Sequence, residues 1–60
     1  MSANHYAADR VQDAIDALQA AVKEARYGEI TEALAHIADA ENHLGAATSR
    51  LVVIFREQKT

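Results

Sequence analysis

The chain has no cysteine, no proline and no tryptophan, and it has two glycines in 60 residues. Without cysteine it forms no disulfide and no thiolate metal cage, and it suits a reducing compartment, so a cytoplasmic location is expected. Without proline nothing forces a kink or break in a helix. Its aromatic residues are Tyr6, Tyr27 and Phe55. The two tyrosines stand too far apart in the chain to build a stacking platform for nucleic-acid bases. Basic side chains are outnumbered 6 to 9, for a net charge of −3, which argues against phosphate binding as the main activity. The longest unbroken apolar run, Leu51–Phe55, is five residues. A membrane span needs ~20. Met1–Asp9 has neither the basic region nor the apolar run of a signal peptide, so none is expected.

What the chain does have is alanine, at 14 positions, and a helical period. In the first half, Ala7, Val11, Ala14, Leu18, Ala21 and Ala25 recur at steps of four and three, and Ile15 and Val22 widen the stripe. In the second half, Ile30, Ala33, Ile37, Ala40, Leu44, Ala47, Leu51 and Ile54 recur at steps of three and four without a fault. A strand needs a period of two, which neither half keeps. Asn4 is placed to cap the first helix, with Asp9 early in it, Lys23 and Arg26 in its last turns and Gly28 just past its end. Glu29 or Thr31 is nearest the cap of the second helix. The expected fold is all-α: one domain over residues 1–60, with a helix at about 4–27, a turn at 28–29 and a helix at about 30–57. So short a connection makes the helices antiparallel neighbours. Counting outward from Gly28 sets Leu18 beside Ala40 and Ala14 beside Leu44, large against small. A domain this size buries only about 60% of its unfolded surface. A second copy is therefore expected, giving a four-helix bundle with Val11, Leu18, Ala40, Leu44, Leu51 and Ile54 in the hairpin or dimer seam.

Gly28-Glu29-Ile30-Thr31-Glu32-Ala33-Leu34, followed by Ala40, resembles the turn and second helix of a tetratricopeptide repeat. Small residues stand in that family where Gly28, Ala33 and Ala40 stand here. Glu24 takes the place of the family's large aromatic, and one hairpin is no solenoid, so the resemblance is one of hairpin grammar. In overall plan the chain is similar to the Rop family of plasmid copy-number proteins, two-helix hairpins that dimerise into four-helix bundles. That similarity is architectural and rests on no shared motif.

Three groups of polar residues invite a functional reading. Asp9, Asp13 and Asp16 form an acidic line at i, i+4 and i+7, a spacing that is mildly destabilising in itself. It is read either as a surface for a basic partner or as a solvated face. His36, Asp39 and His43 share a flank of the second helix. The histidines are about 10 Å apart along the axis, too far to share one ion unaided. The Glu-x-x-His pattern of di-metal bundles is absent. No metal or cofactor is expected, and Glu32–His36 and Asp39–His43 are read as i,i+4 pairs. Arg10, Arg50, Arg56 and Lys59 gather near the open end as a small basic cluster, the basis of a nucleic-acid reading.

Leu51–Phe55 is apolar on every side. Val52, Val53 and Phe55 are thus read as an interface, for a second copy or for another protein. The rival is a β-strand, with Gly45 and Thr48-Ser49 breaking the helix before it. Gly45, with Ala46 and Ala47, also makes a patch where another backbone could come close. No nucleophile is paired with a base, and there is no glycine-rich phosphate loop. Catalysis is not expected. The reading is a small protein-binding regulator or inhibitor, of the kind typical of phage and plasmid accessory genes, acting as a homodimer on a larger protein. The alternatives are a Rop-like RNA- or DNA-binding bundle and an assembly subunit of a larger complex.

Overall fold

Two helices account for nearly all of the chain. The computed structural model describes residues 3–59, with side chains described for residues 5–58. Helix α1 spans Ala3–Arg26 and helix α2 spans Ile30–Lys59. They pack against each other as a hairpin. Its Cα atoms fill a slab of 49 × 17 × 11 Å, one helix thick. Leu51–Phe55 continues α2 without interruption, so the helical period outweighs the strand propensity of Val, Ile and Phe there. Gly45, Thr48 and Ser49 lie within the helix and do not break it.

The turn follows from Gly28. Its φ of +78° is the left-handed region, open to glycine without a Cβ penalty. The Gly28 N–H donates to the Ala25 carbonyl at 3.0 Å and the Glu29 N–H to the Glu24 carbonyl at 2.8 Å. This pair of bonds is a Schellman motif, with Gly28 at C′, and it satisfies two carbonyls that the helix end leaves open. Lys23 and Arg26 lie in the last turn, where the helix dipole favours positive charge. The Glu29 carbonyl accepts the first bond of α2, from Ala33 N–H at 3.0 Å. Glu29 is therefore the cap position, and Thr31 is inside the helix.

The start of α1 differs from the sequence reading. The helix opens at Ala3, so Asn4 stands within the first turn instead of capping it, and its side chain lies outside the described residues. No acidic residue falls in that first turn. Asp9 is one turn too far along to act strongly on the dipole, whose influence fades within the first turn.

The seam between the helices is built of alanine. Among the described residues the buried ones are Ala7, Ala14, Ala17, Ala21, Ala33, Ala40 and Ala47. Ala14, Ala17 and Ala40 form one buried cluster. Spacing of seven along both helices, at Ala7-Ala14-Ala21 and Ala33-Ala40-Ala47, keeps a methyl group on the contact line for almost the whole length of the hairpin. The expectation that large residues of one helix meet alanines of the other gives way here. Leu18 is 42% exposed and Leu44 41% exposed, whereas Ala14 and Ala40 are at 0% and 1%. The alanine methyl groups hold the contact line, and the bulky side chains stand beside it. Alanine buries the least apolar area of any aliphatic side chain, so this seam removes little hydrophobic surface from water.

Candidate interaction surface

Relative to the seam alanines, the remaining side chains divide into two faces. A helix turns by about 100° per residue, so a residue four places after a seam alanine lies to one side of the seam and a residue three places after lies to the other. Four places on from Ala7, Ala14 and Ala21 are Val11, Leu18 and Ala25. Four places on from Ala33, Ala40 and Ala47 are Ile37, Leu44 and Leu51. The second helix is reversed in both direction and facing, so the same offset falls on the same side of the hairpin. One place on from the seam alanines, farther round this side, are Ala8, Ile15 and Val22 on α1 and Leu34, Glu41 and Thr48 on α2. The result is an aliphatic face running the length of the slab. Glu41 and Thr48 interrupt it, and its large side chains from Ile15 to Leu51 are exposed.

The opposite face is polar. Three places on from the seam alanines are Arg10, Ala17 and Glu24 on α1, and His36, His43 and Arg50 on α2. Tyr6, one place before Ala7, falls on this side too, and one contact crosses between the helices there. The Arg50 guanidinium lies over the Tyr6 ring, 5.8 Å from its centroid, joining the two helices on this face. Arg10 pairs with Asp13. His43 Nε2 lies 3.4 Å from Asp39 Oδ2, the i,i+4 pair expected from the spacing. Among the described residues Glu32 and His36 make no such pair.

The residues singled out in the sequence fall as follows. Ala40 is in the hairpin seam, Val11 and Ile54 are half-buried beside it, and Leu18, Leu44 and Leu51 are on the aliphatic face. Val52, Val53 and Phe55 are exposed on the last turns of α2. Asp9, Asp13 and Asp16 lie on the outer side of α1, away from the aliphatic face. Asp13 is held by Arg10, and Asp16 accepts a hydrogen bond from Gln12 Nε2 at 3.1 Å. The basic cluster is only partly assembled, because Arg10 and Arg50 are engaged within the hairpin by Asp13 and Tyr6. Ala17, absent from the sequence stripe, is buried, and the Tyr6–Arg50 stack was likewise missed. Both become legible once the seam is drawn through the alanines, since Ala17 follows Ala14 by three, Arg50 follows Ala47 by three and Tyr6 precedes Ala7.

Gly45 has open space around it, so within the hairpin no other backbone approaches it. Among the described residues no group of three His, Cys, Asp or Glu side chains is placed to hold a metal ion. A shallow, open depression is lined by Gln19, Val22, Lys23, Arg26 and Tyr27, all from the end of α1 and the turn. Among the described residues no helix is long and apolar enough to cross a membrane. The chain matches no protein-family model, no curated protein and no solved structure at a significant level.

Proposed function

We propose that the hairpin is half of a four-helix bundle formed with a second copy, and that this bundle is a non-catalytic regulator that binds a larger protein. The observation that carries the reading is the division of apolar residues between seam and face. Alanine fills the contact within the hairpin, while Ile15, Leu18, Val22, Ile37, Leu44 and Leu51, which would contribute most on burial, are exposed together on one flank. A fully buried side chain of that kind contributes about 1.5–3 kcal/mol. Apolar patches of this extent on a small domain mark an interaction site. The slab measures 49 by 17 Å, a footprint of roughly 800 Å², about what each partner contributes to a standard interface. A second copy presents the same face, so covering it by self-association needs no other component.

Self-association leaves the outer surface of α1 in water, with Asp9, Asp13 and Asp16 along it. That line is the surface we assign to the larger partner, one carrying a basic patch. Exchanging the three for asparagine is expected to abolish capture of that protein from host lysate, with the helical circular dichroism unchanged. Partner capture that survives the triple exchange contradicts the assignment of the acidic line. Tight, salt-sensitive binding of RNA or duplex DNA by the unaltered chain contradicts the protein-binding reading itself.

A further inference from the structure

Two hairpins can join their aliphatic faces about a two-fold axis in two ways. In one, both turns lie at the same end of the bundle and α1 of each copy lies against α2 of the other. In the other, the turns lie at opposite ends, so α1 lies against α1 and α2 against α2. We infer that the second arrangement, with the copies aligned head to tail, is the one this chain forms. The inference rests on the self-association proposed above and adds to it the alignment of the copies.

The first argument comes from the residues one place beyond the seam alanines, which meet across the new interface. On α1 these are Ala8, Ile15 and Val22, all apolar. On α2 they are Leu34, Glu41 and Thr48. The buried alanines set Ile15 and Glu41 near the middle of the slab at about the same level, beside Ala14 and Ala40. With the turns at one end, each Ile15 is laid on a Glu41 of the other copy, and this happens twice. Glu41 must then turn outward to water on both seams and leaves each Ile15 without an apolar partner, so neither seam is wholly apolar. With the turns at opposite ends, Ile15 meets Ile15 at the two-fold axis and Ala8 meets Val22, large against small. One complete seam is then apolar. The two Glu41 side chains meet on the other seam, beside Thr48 and Leu34, and can turn outward to water, where like charges cost only a few tenths of a kcal/mol.

The second argument is the charge at the two ends. Beside the turn, Glu24, Glu29 and Glu32 outnumber Lys23 and Arg26. Toward the open end, Arg10, Arg50, Arg56 and Lys59 outnumber Asp9, Asp13 and Glu57. Head-to-tail alignment brings the acidic end of one copy beside the basic end of the other. The alternative gathers like with like at both ends. Complementary charge of this kind fixes the register of an association more than its strength.

The absence of cysteine makes a clean test possible. Tyr27→Cys places a single spin label at the turn, outside the aliphatic face. In the dimer, head-to-tail copies with Ile15 at the two-fold axis hold the two labels nearly 40 Å apart, since each Tyr27 stands 12 residues beyond Ile15, about 18 Å along the helix at 1.5 Å per residue. Copies with their turns together hold the labels within about two helix spacings, roughly 20 Å. A pulsed dipolar distance near 40 Å supports the inference, and one near 20 Å overturns it. Sedimentation of the labelled protein reports separately on the reading beneath: a monomer at every concentration overturns self-association, and the alignment with it. Ile15→Cys supplies the second arm. Mild oxidation is expected to link two copies through residue 15 while helicity is kept, because that position meets itself only in the head-to-tail bundle. A dimer in which this disulfide does not form contradicts the alignment.

Discussion

Replacing Ala40 by leucine puts the alanine seam to a quantitative test. Ala40 is 1% exposed and shares a buried cluster with Ala14 and Ala17. Leucine there adds three carbons where the methyl of Ala40 already fills the contact. The helices must separate, or the new side chain must leave its preferred rotamer, at a cost of about 1–3 kcal/mol. In a chain of this length each kcal/mol moves the melting temperature by roughly 4–8 °C. A drop of about 4–24 °C is therefore expected. Ala35 and Ala38 lie on the same helix and are exposed, so Ala35→Leu and Ala38→Leu are expected to stay within about 0.5 kcal/mol of the parent. The assay is thermal unfolding followed by helical circular dichroism, with all four proteins at one concentration, since association makes melting depend on concentration. If Ala40→Leu melts with Ala35→Leu and Ala38→Leu, the seam does not run through Ala40 and the division into two faces fails with it.

Two further expectations concern the glycines. Gly28→Ala forces an L side chain to φ +78°, and denaturant titration is expected to show a loss of about 1–2 kcal/mol, while an unchanged midpoint contradicts the turn geometry. Gly45→Ala is expected to act in the opposite sense, raising stability by up to about 1 kcal/mol, because alanine favours the helix and a Cβ there meets nothing within 4 Å; a fall in stability would show that another backbone packs against this position.

The period of three and four, the turn at Gly28 and the antiparallel hairpin were legible in the sequence because each has a local cause. The Schellman turn needs only Gly28 and the carbonyls of Glu24 and Ala25. The identity of the inner seam was not legible in the same way. Both helices carry two apolar stripes side by side, one of alanine and one of large aliphatics, and periodicity cannot say which faces the neighbour. Size decides it. Alanine wins the contact within the hairpin because it permits close approach, which leaves Leu18, Ile37 and Leu44 for the face. Counting outward from Gly28 placed Leu18 beside Ala40; the buried residues that cluster with Ala40 are Ala14 and Ala17, while Leu18, next to Ala17 in the chain, is 42% exposed. The capping reading of Asn4 failed for a different reason. A good capping residue also fits within a first turn, and nothing upstream in so short a segment distinguishes the two.

The central claim is that the aliphatic face is covered by a second copy of the chain. Sedimentation equilibrium of the unaltered protein and of Leu44→Asp, across the micromolar range, tests it most directly. Leu44 is 41% exposed in the hairpin and lies on the middle of that face, so the substitution leaves the alanine seam intact and places a charge in the proposed interface. The expected result is about 13 kDa for the parent, twice the chain mass of 6.5 kDa, and a shift to the single-chain mass for Leu44→Asp with the hairpin still helical. A parent that sediments at 6.5 kDa throughout, or a Leu44→Asp variant that associates as tightly as the parent, contradicts the claim.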